Sequence, residues 1–240
     1  DTDRSRGLGD VYKRQDIFRT NPQALEKLTG WVNARDAGRQ PAAMYAMGSL
    51  LLAKDDLAGA VKMAEDGLSK YPQSLPVQTL SLNTITTLLD KNRVEDAERL
   101  ISKYPGTSPG LVFQQGALAF RKGDYPLAQS LFREAARRAS EKTAESALFN
   151  ENLAALNAND AAGAAALVKE AAGSAQLREH ILFEQAHYAA KRMNPQAPEL
   201  LASFVALATD PALKTQARLD QAEVALNLNP PDPVSYTHLR

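Results

Sequence analysis

The sequence predicts an all-α chain built from stacked antiparallel helix pairs, about 11 helices in all, and three observations carry that expectation. Residues 110–139, GLVFQQGALAFRKGDYPLAQSLFREAARRA, read as two short amphipathic helices joined by a tight turn. The same phase of small and apolar residues recurs along the chain at intervals near 34 residues. The composition is 44% hydrophobic but only 6% aromatic, so the core must be built from Ala and Leu, which helix-on-helix stacking permits.

In the strongest pair the first helix carries Val112, Gly116, Ala119 and Phe120 on one side. The turn is Lys122-Gly123-Asp124-Tyr125, and the second helix carries Ala128, Leu131, Phe132 and Ala135 at three- and four-residue spacing, the period of one apolar face. Gly116 and Ala128 are small where two helices should approach closely, and Gly123 supplies the freedom to reverse the chain. Such a pair cannot bury its own face and implies neighbours of the same kind. Ala60 stands 68 residues before Ala128, and Gly48 precedes Ala60 by 12 just as Gly116 precedes Ala128. Ala64 and Gly67 match Phe132 and Ala135, and Pro72 closes the unit. Ala97, Ala164 and Pro198 continue the series, the successive steps from Ala60 being 37, 31, 36 and 34.

This pattern resembles the tetratricopeptide repeat, whose period is 34, over roughly residues 41–208. The resemblance implies a right-handed superhelical α-solenoid of about five repeats, with the first helix of each repeat lining a concave groove.

The two ends read differently. Residues 10–15, DVYKRQ, are encoded by GAT GTG TAT AAG AGA CAG, and the reverse complement of that DNA, read from its third base, encodes VSYTH, residues 234–238. One DNA sequence in inverted orientation accounts for both ends, and it resembles a transposon-end sequencing adapter. Residues 1–15 and 234–240 are therefore set aside from fold reasoning, and the remainder is expected to be a fragment of a longer chain. Without the ends the chain stays near neutral and slightly acidic, with no basic stripe to suggest nucleic acid. There is no cysteine, hence no disulfide and no thiolate metal site. No run of eighteen apolar residues exists to span a membrane. The adapter resemblance suggests an environmental read, whence the expectation of a bacterial, periplasmic or envelope-associated protein; no residue carries it.

In chain order, residues 16–40 hold the N-terminal helix of a truncated repeat. It begins at Asn21-Pro22, runs to about Ala37, and carries Leu25, Leu28, Trp31 and Val32 on one face, with Asn21 as its cap. Repeat one has helices near 42–53 and 57–70; repeat two near 75–90 and 94–103, stopped by Pro105-Gly106. Repeat two is rich in Thr (Thr79, Thr84, Thr86, Thr87), which lowers helix propensity and marks the softest joint. Repeat three covers 109–139. Repeat four has helices near 142–157 and 161–172, the second nearly all Ala; repeat five has helices near 176–191 and 197–208. A last helix lies within 209–233.

Fifteen residues before each phase marker stand Tyr45, Leu82, Phe113, Phe149 and Phe183, all on first helices. In the family resembled, this phase points into the groove, where an apolar ladder would grip a helical or extended peptide. The alternative is that these side chains pack between successive first helices. A carboxylate clamp of the kind some family members use is not expected, because the corresponding inner positions are Tyr45, Ser49, Phe113 and Ala117. His180, Glu184 and His187 share one helix face, but with no cysteine and no other histidine outside the adapter they fall short of a zinc site and read as polar surface. Gly106, Gly110 and Gly116 lack phosphate-loop spacing. No catalytic residue and no cofactor is expected.

The resemblance thus implies a non-catalytic scaffold for a protein or peptide partner. The alternative is the repeat portion of a larger envelope-assembly or polysaccharide-export protein, or of a multidomain enzyme. A metal-dependent or hydrolytic enzyme centred on His180 and His187 is the remaining reading.

Overall fold

The computed structural model describes residues 22–34 and 38–228, and every regular element among them is helical. Among the described residues there are twelve α-helices, where the sequence suggested about eleven: α1 Pro22–Asn33, α2 Gln40–Ala53, α3 Leu57–Lys70, α4 Leu75–Asp90, α5 Val94–Lys103, α6 Pro109–Arg121, α7 Tyr125–Arg138, α8 Glu141–Asn157, α9 Ala161–Glu170, α10 Ala175–Lys191, α11 Ala197–Leu207 and α12 Pro211–Leu228. A 3-10 turn, Ala171–Gly173, completes the second helix of repeat four, so the α-helix there is shorter than the sequence suggested. The adapter-like segments and the cap Asn21 lie outside the described residues; α1 ends at Asn33 rather than near Ala37.

The chain divides into two compact units between Asp124 and Tyr125, in the turn of the strongest sequence repeat. In the first unit α2 packs on α3 and α4, α3 on α4 and α5, and α4 on α5 and α6, with α1 against α2. In the second, α7 packs on α8, α8 on α9 and α10, and α10 on α9, α11 and α12. Within each unit the helices therefore pack neighbour to neighbour, first helix on next first helix, as in a helical repeat.

The turns between first and second helices explain the uneven spacing. Each ends in one residue of left-handed backbone: Asp55 (φ 61°), Asn92 (57°), Gly123 (79°), Asn159 (58°) and Met193 (51°). Each stands five positions before its sequence marker, so the steps of 37, 31, 36 and 34 recur in the backbone itself. The residue after each donates its N–H five back, as Asp56 does to Leu51, Arg93 to Leu88, Asp124 to Ala119, Asp160 to Ala155 and Asn194 to Ala189. This is the αL closure that satisfies the last carbonyls of a helix. Asp56 and Asp160 then cap the next helix by accepting from the N–H groups of Gly59 (2.9 Å) and Gly163 (2.8 Å).

Burial follows the markers for four repeats: Ala60, Ala97 and Ala128 are 0% exposed and Ala164 is 4%. In the fifth the marker is displaced. Pro198 is exposed and Ala197 is buried, because Asn194 and Pro195 lead through an extra turn in which the Ala197 N–H donates to the Asn194 carbonyl before α11 begins. Gly48, the counterpart of Gly116 in the first repeat, is small for a contact with the next first helix. A Cβ on Gly48 would press into the Leu80 side chain of α4, so this glycine admits the next first helix rather than its own partner helix. The core of the first unit gathers Val77, Leu80, Ile85 and Leu88 of α4 with Ala64, Leu68 and Leu100 of the flanking second helices. Fully burying a side chain such as Leu contributes about 1.5–3 kcal/mol. Smaller clusters in the second unit gather around Leu167 and Ile181 and around Phe183, Leu201 and Phe204.

Side-chain bridges fall one repeat apart. Arg99 donates to Glu65 (34 residues away, 3.2 Å), Gln185 to Asn152 (33, 2.9 Å), and Gln129 to Asp160 (31, 2.9 Å). Among the described residues no helix is long and apolar enough to cross a membrane.

Candidate first-helix site

The five column residues predicted from the sequence all stand on first helices, ten positions before the left-handed turn residue of their repeat. In the first unit Tyr45, Leu82 and Phe113 occupy α2, α4 and α6 and are half-buried. Tyr45 and Leu82 rest against the unit's core cluster, and a Leu82 methyl lies 3.0 Å from where a Cβ on Gly110 of α6 would stand. Leu82 thus wedges between successive first helices while keeping part of its surface in water.

In the second unit Phe149 on α8 is half-buried, against the cluster of Leu167, Ala171, Leu177 and Ile181. The His180 ring meets it edge-on at 6.4 Å and 74°. Phe183 on α10 differs: it is 8% exposed, stacked on His187 at 5.4 Å and packed against Phe204 at 5.5 Å. At Phe183 the packing alternative describes the side chain.

The His180, Glu184 and His187 face is built into the packing rather than left as polar surface. His187 Nδ1 lies 2.6 Å from an oxygen of Asp220, a residue 1% exposed on α12, whose other oxygen accepts from Gln216 at 3.1 Å. Burial pushes the Glu184 carboxyl above its ordinary value, against the pull of His187 and His180. Among the described residues no three His, Cys, Asp or Glu side chains form a metal-sized group.

Sequence reasoning missed a set of buried polar residues. Glu151 and Asn152 of α8 are 0% exposed. One Glu151 oxygen takes both Nε (2.7 Å) and Nη2 (2.6 Å) of Arg133, while its other oxygen has no partner. Burial pushes this carboxyl up, with Arg133 opposing. Asn152 accepts from Gln185, which also donates to the Ala164 carbonyl at 2.8 Å. The signal that could have found Asp220 was the period itself, since it stands 33 residues after His187.

A cleft of about 320 Å³ opens between α8 and α10, with Phe149 and Leu177 among its walls. Phe149 thereby joins the predicted column to a concave feature within one unit. Comparison with known proteins is silent: no family model matches the chain, and no curated protein is significantly similar to it.

Proposed function

We propose that this chain is a non-catalytic interaction scaffold of the tetratricopeptide type, holding a peptide or a partner subunit against its first helices. The observation that carries the family reading is the left-handed turn residue recurring in register with the sequence markers, uneven steps included. The binding reading is supported by Tyr45, Leu82 and Phe113, side chains left half in water on three consecutive first helices of the first unit, and by Phe149 on a first helix of the second. An aligned set of part-exposed rings provides anchors at low conformational cost. The non-catalytic reading is supported by the engagement of His187 with Asp220 and of His180 with Phe149, which gives both imidazoles structural work.

The test is selection of a displayed random dodecapeptide library on the full chain and on a variant carrying Tyr45→Ser, Phe113→Ser and Phe149→Ser. Phe183 is left in place because it belongs to the core. Peptides enriched on the parent and lost on the variant, with equal helical circular dichroism, are the expected result. Enrichment that survives in the variant would move binding off the first helices, and no enrichment at all would overturn the scaffold reading.

A further inference from the structure

We propose that α12 is a self-association surface, pairing in parallel with α12 of a second copy of this chain through an apolar seam on its outer side. The inference stands apart from the peptide reading, since none of the five column residues lies on α12.

One side of α12 is already engaged. Ala217 and Val224 are buried in the cluster of Phe183, Leu201 and Phe204, with Leu213 packed against it, and Asp220 on the same side meets His187. At about 3.6 residues per turn, Ala212, Thr215, Leu219, Ala222 and Leu226 fall on the opposite side, at alternating steps of three and four. All five are exposed, Leu219 at 59% and Leu226 at 64%. Alternating steps of three and four are the heptad spacing of a narrow helix–helix seam. The neighbouring polar groups spend their hydrogen bonds inside the helix. The Thr215 hydroxyl donates to the Pro211 carbonyl at 2.7 Å, Gln216 to Asp220 at 3.1 Å, and Asn227 to the Glu223 carbonyl at 3.0 Å. Covering the seam therefore strands none of these donors.

Charge fixes the partner and its direction. With Ala212, Leu219 and Leu226 at heptad position a and Thr215 and Ala222 at d, Arg218 stands at g and Glu223 at the following e. In a parallel pair, g of one helix lies beside the following e of the other. Two copies in register thus set Arg218 of each against Glu223 of the other, an ion pair on either flank. Arg218 is exposed and makes no ion pair or hydrogen bond among the described residues. Glu223 holds Lys191 through Oε2 at 2.8 Å, which leaves Oε1 for the second copy's arginine. An antiparallel pair would instead gather both arginines on one flank and both glutamates on the other. Layers of Leu219 and Leu226 alternate with the small Ala222 and Thr215, so the patch fits itself as a twofold interface requires.

The experiment is sedimentation equilibrium of the full chain over a wide range of concentrations. A reversible monomer–dimer equilibrium is expected, and the mass of one chain throughout would overturn the proposal. Leu219→Ser with Leu226→Ser changes exposed side chains, so helical circular dichroism should be retained while the dimer weakens by more than about tenfold. Arg218→Glu and Glu223→Arg each set like charges across the seam and should weaken self-association roughly three- to tenfold. Mixing the two variants restores opposite charges on both flanks, so the mixture should pair more tightly than either alone. A dimer indifferent to all of these changes would assign association to another surface. The chain has no cysteine, so Leu226→Cys reports direction. Mild oxidation should link that variant into a covalent dimer, and a dimer that does not link would overturn the parallel register.

Discussion

In the unit ending at Asp124, the residues fully withdrawn from water include Leu80, Ile85, Leu88 and Leu100, and the buried polar groups are neutral: Ser81 and Thr84 return their hydroxyls to the Val77 and Leu80 carbonyls of their own helix. In the unit beginning at Tyr125, alanines such as Ala147, Ala154 and Ala155 supply much of the buried surface, and beside them lie Glu151, Asn152 and Asp220, bonded to other helices. Both units stack helices at the same interval. Large aliphatic side chains hold the first by area removed from water; small side chains bring the helices of the second close, and polar bridges then fix which residues face each other. Burial of area is indifferent to pH, whereas a buried carboxylate is not.

The largest expected effect belongs to the first unit. Leu80→Ala removes a fully buried side chain of α4 and should cost about 2–5 kcal/mol in urea denaturation, the spread reflecting how far the site collapses. A cost under about 1 kcal/mol would mean that α4 is not the centre of that core.

Arg133→Ala tests the second unit. Its guanidinium side chain is 41% exposed but Glu151 is 0% exposed, so removing it leaves a buried carboxylate alone. The expected loss is about 2–4 kcal/mol, below a fully buried pair because water reaches the arginine. Arg133→Met with no loss would show the bridge to be dispensable and the contrast between the units overstated.

The pH dependence sharpens the same contrast. Burial raises the Glu151 carboxyl in the folded chain above the ordinary 4.5, so the folded chain holds that proton more readily than the unfolded one. Stability from this group therefore falls as pH rises from the ordinary value through the raised one. Glu151→Gln should flatten that stretch of the urea-midpoint profile between pH 4.5 and neutrality, and parallel profiles for parent and variant would place the carboxylate in water. Glu65 in the first unit shifts the other way, lowered by its bonds to Lys103 and Arg99 although burial opposes them. Its contribution is present above 4.5 and is lost only as pH falls through the lowered value.

The smallest effect compares two turns. Gly123 and Met193 hold the same left-handed position, at no steric cost for glycine and about 1–2 kcal/mol for an L side chain. Met193→Gly should raise stability by about 1 kcal/mol, and Gly123→Ala should lower it by a similar amount. A destabilising Met193→Gly would mean that the exposed methionine makes a contact worth more than the strain.

Helix positions and phase were legible because turn and small-residue signals recur, and the uneven steps from 60 to 164 return in the backbone. The fifth marker failed by one residue because periodicity cannot see the extra turn after Asn194. A second series went unread: Ser74, Ser108, Ser140 and Ser174 each stand at the N-cap of a first helix, with Ser108 and Ser174 accepting the capping bond. Propensity marked the Thr-rich α4 as the softest joint, yet Thr79, Thr84, Thr86 and Thr87 all satisfy their hydroxyls four residues back while the helix buries Val77, Leu80, Ile85, Leu88 and Leu89. Tertiary burial outweighs a per-residue cost of a few tenths of a kcal/mol. The column of rings was legible too, but the burial of Phe183 depends on Phe204 from α11, a contact that no single-helix pattern contains.

The most direct test of the scaffold reading is hydrogen exchange by mass spectrometry on the full chain, with and without the peptide enriched in the library selection. Slowed exchange on first helices among α2, α4, α6 and α8, with α3, α5 and α9 unchanged, is the expected result. Protection confined to those second helices would contradict it and assign binding to the opposite face.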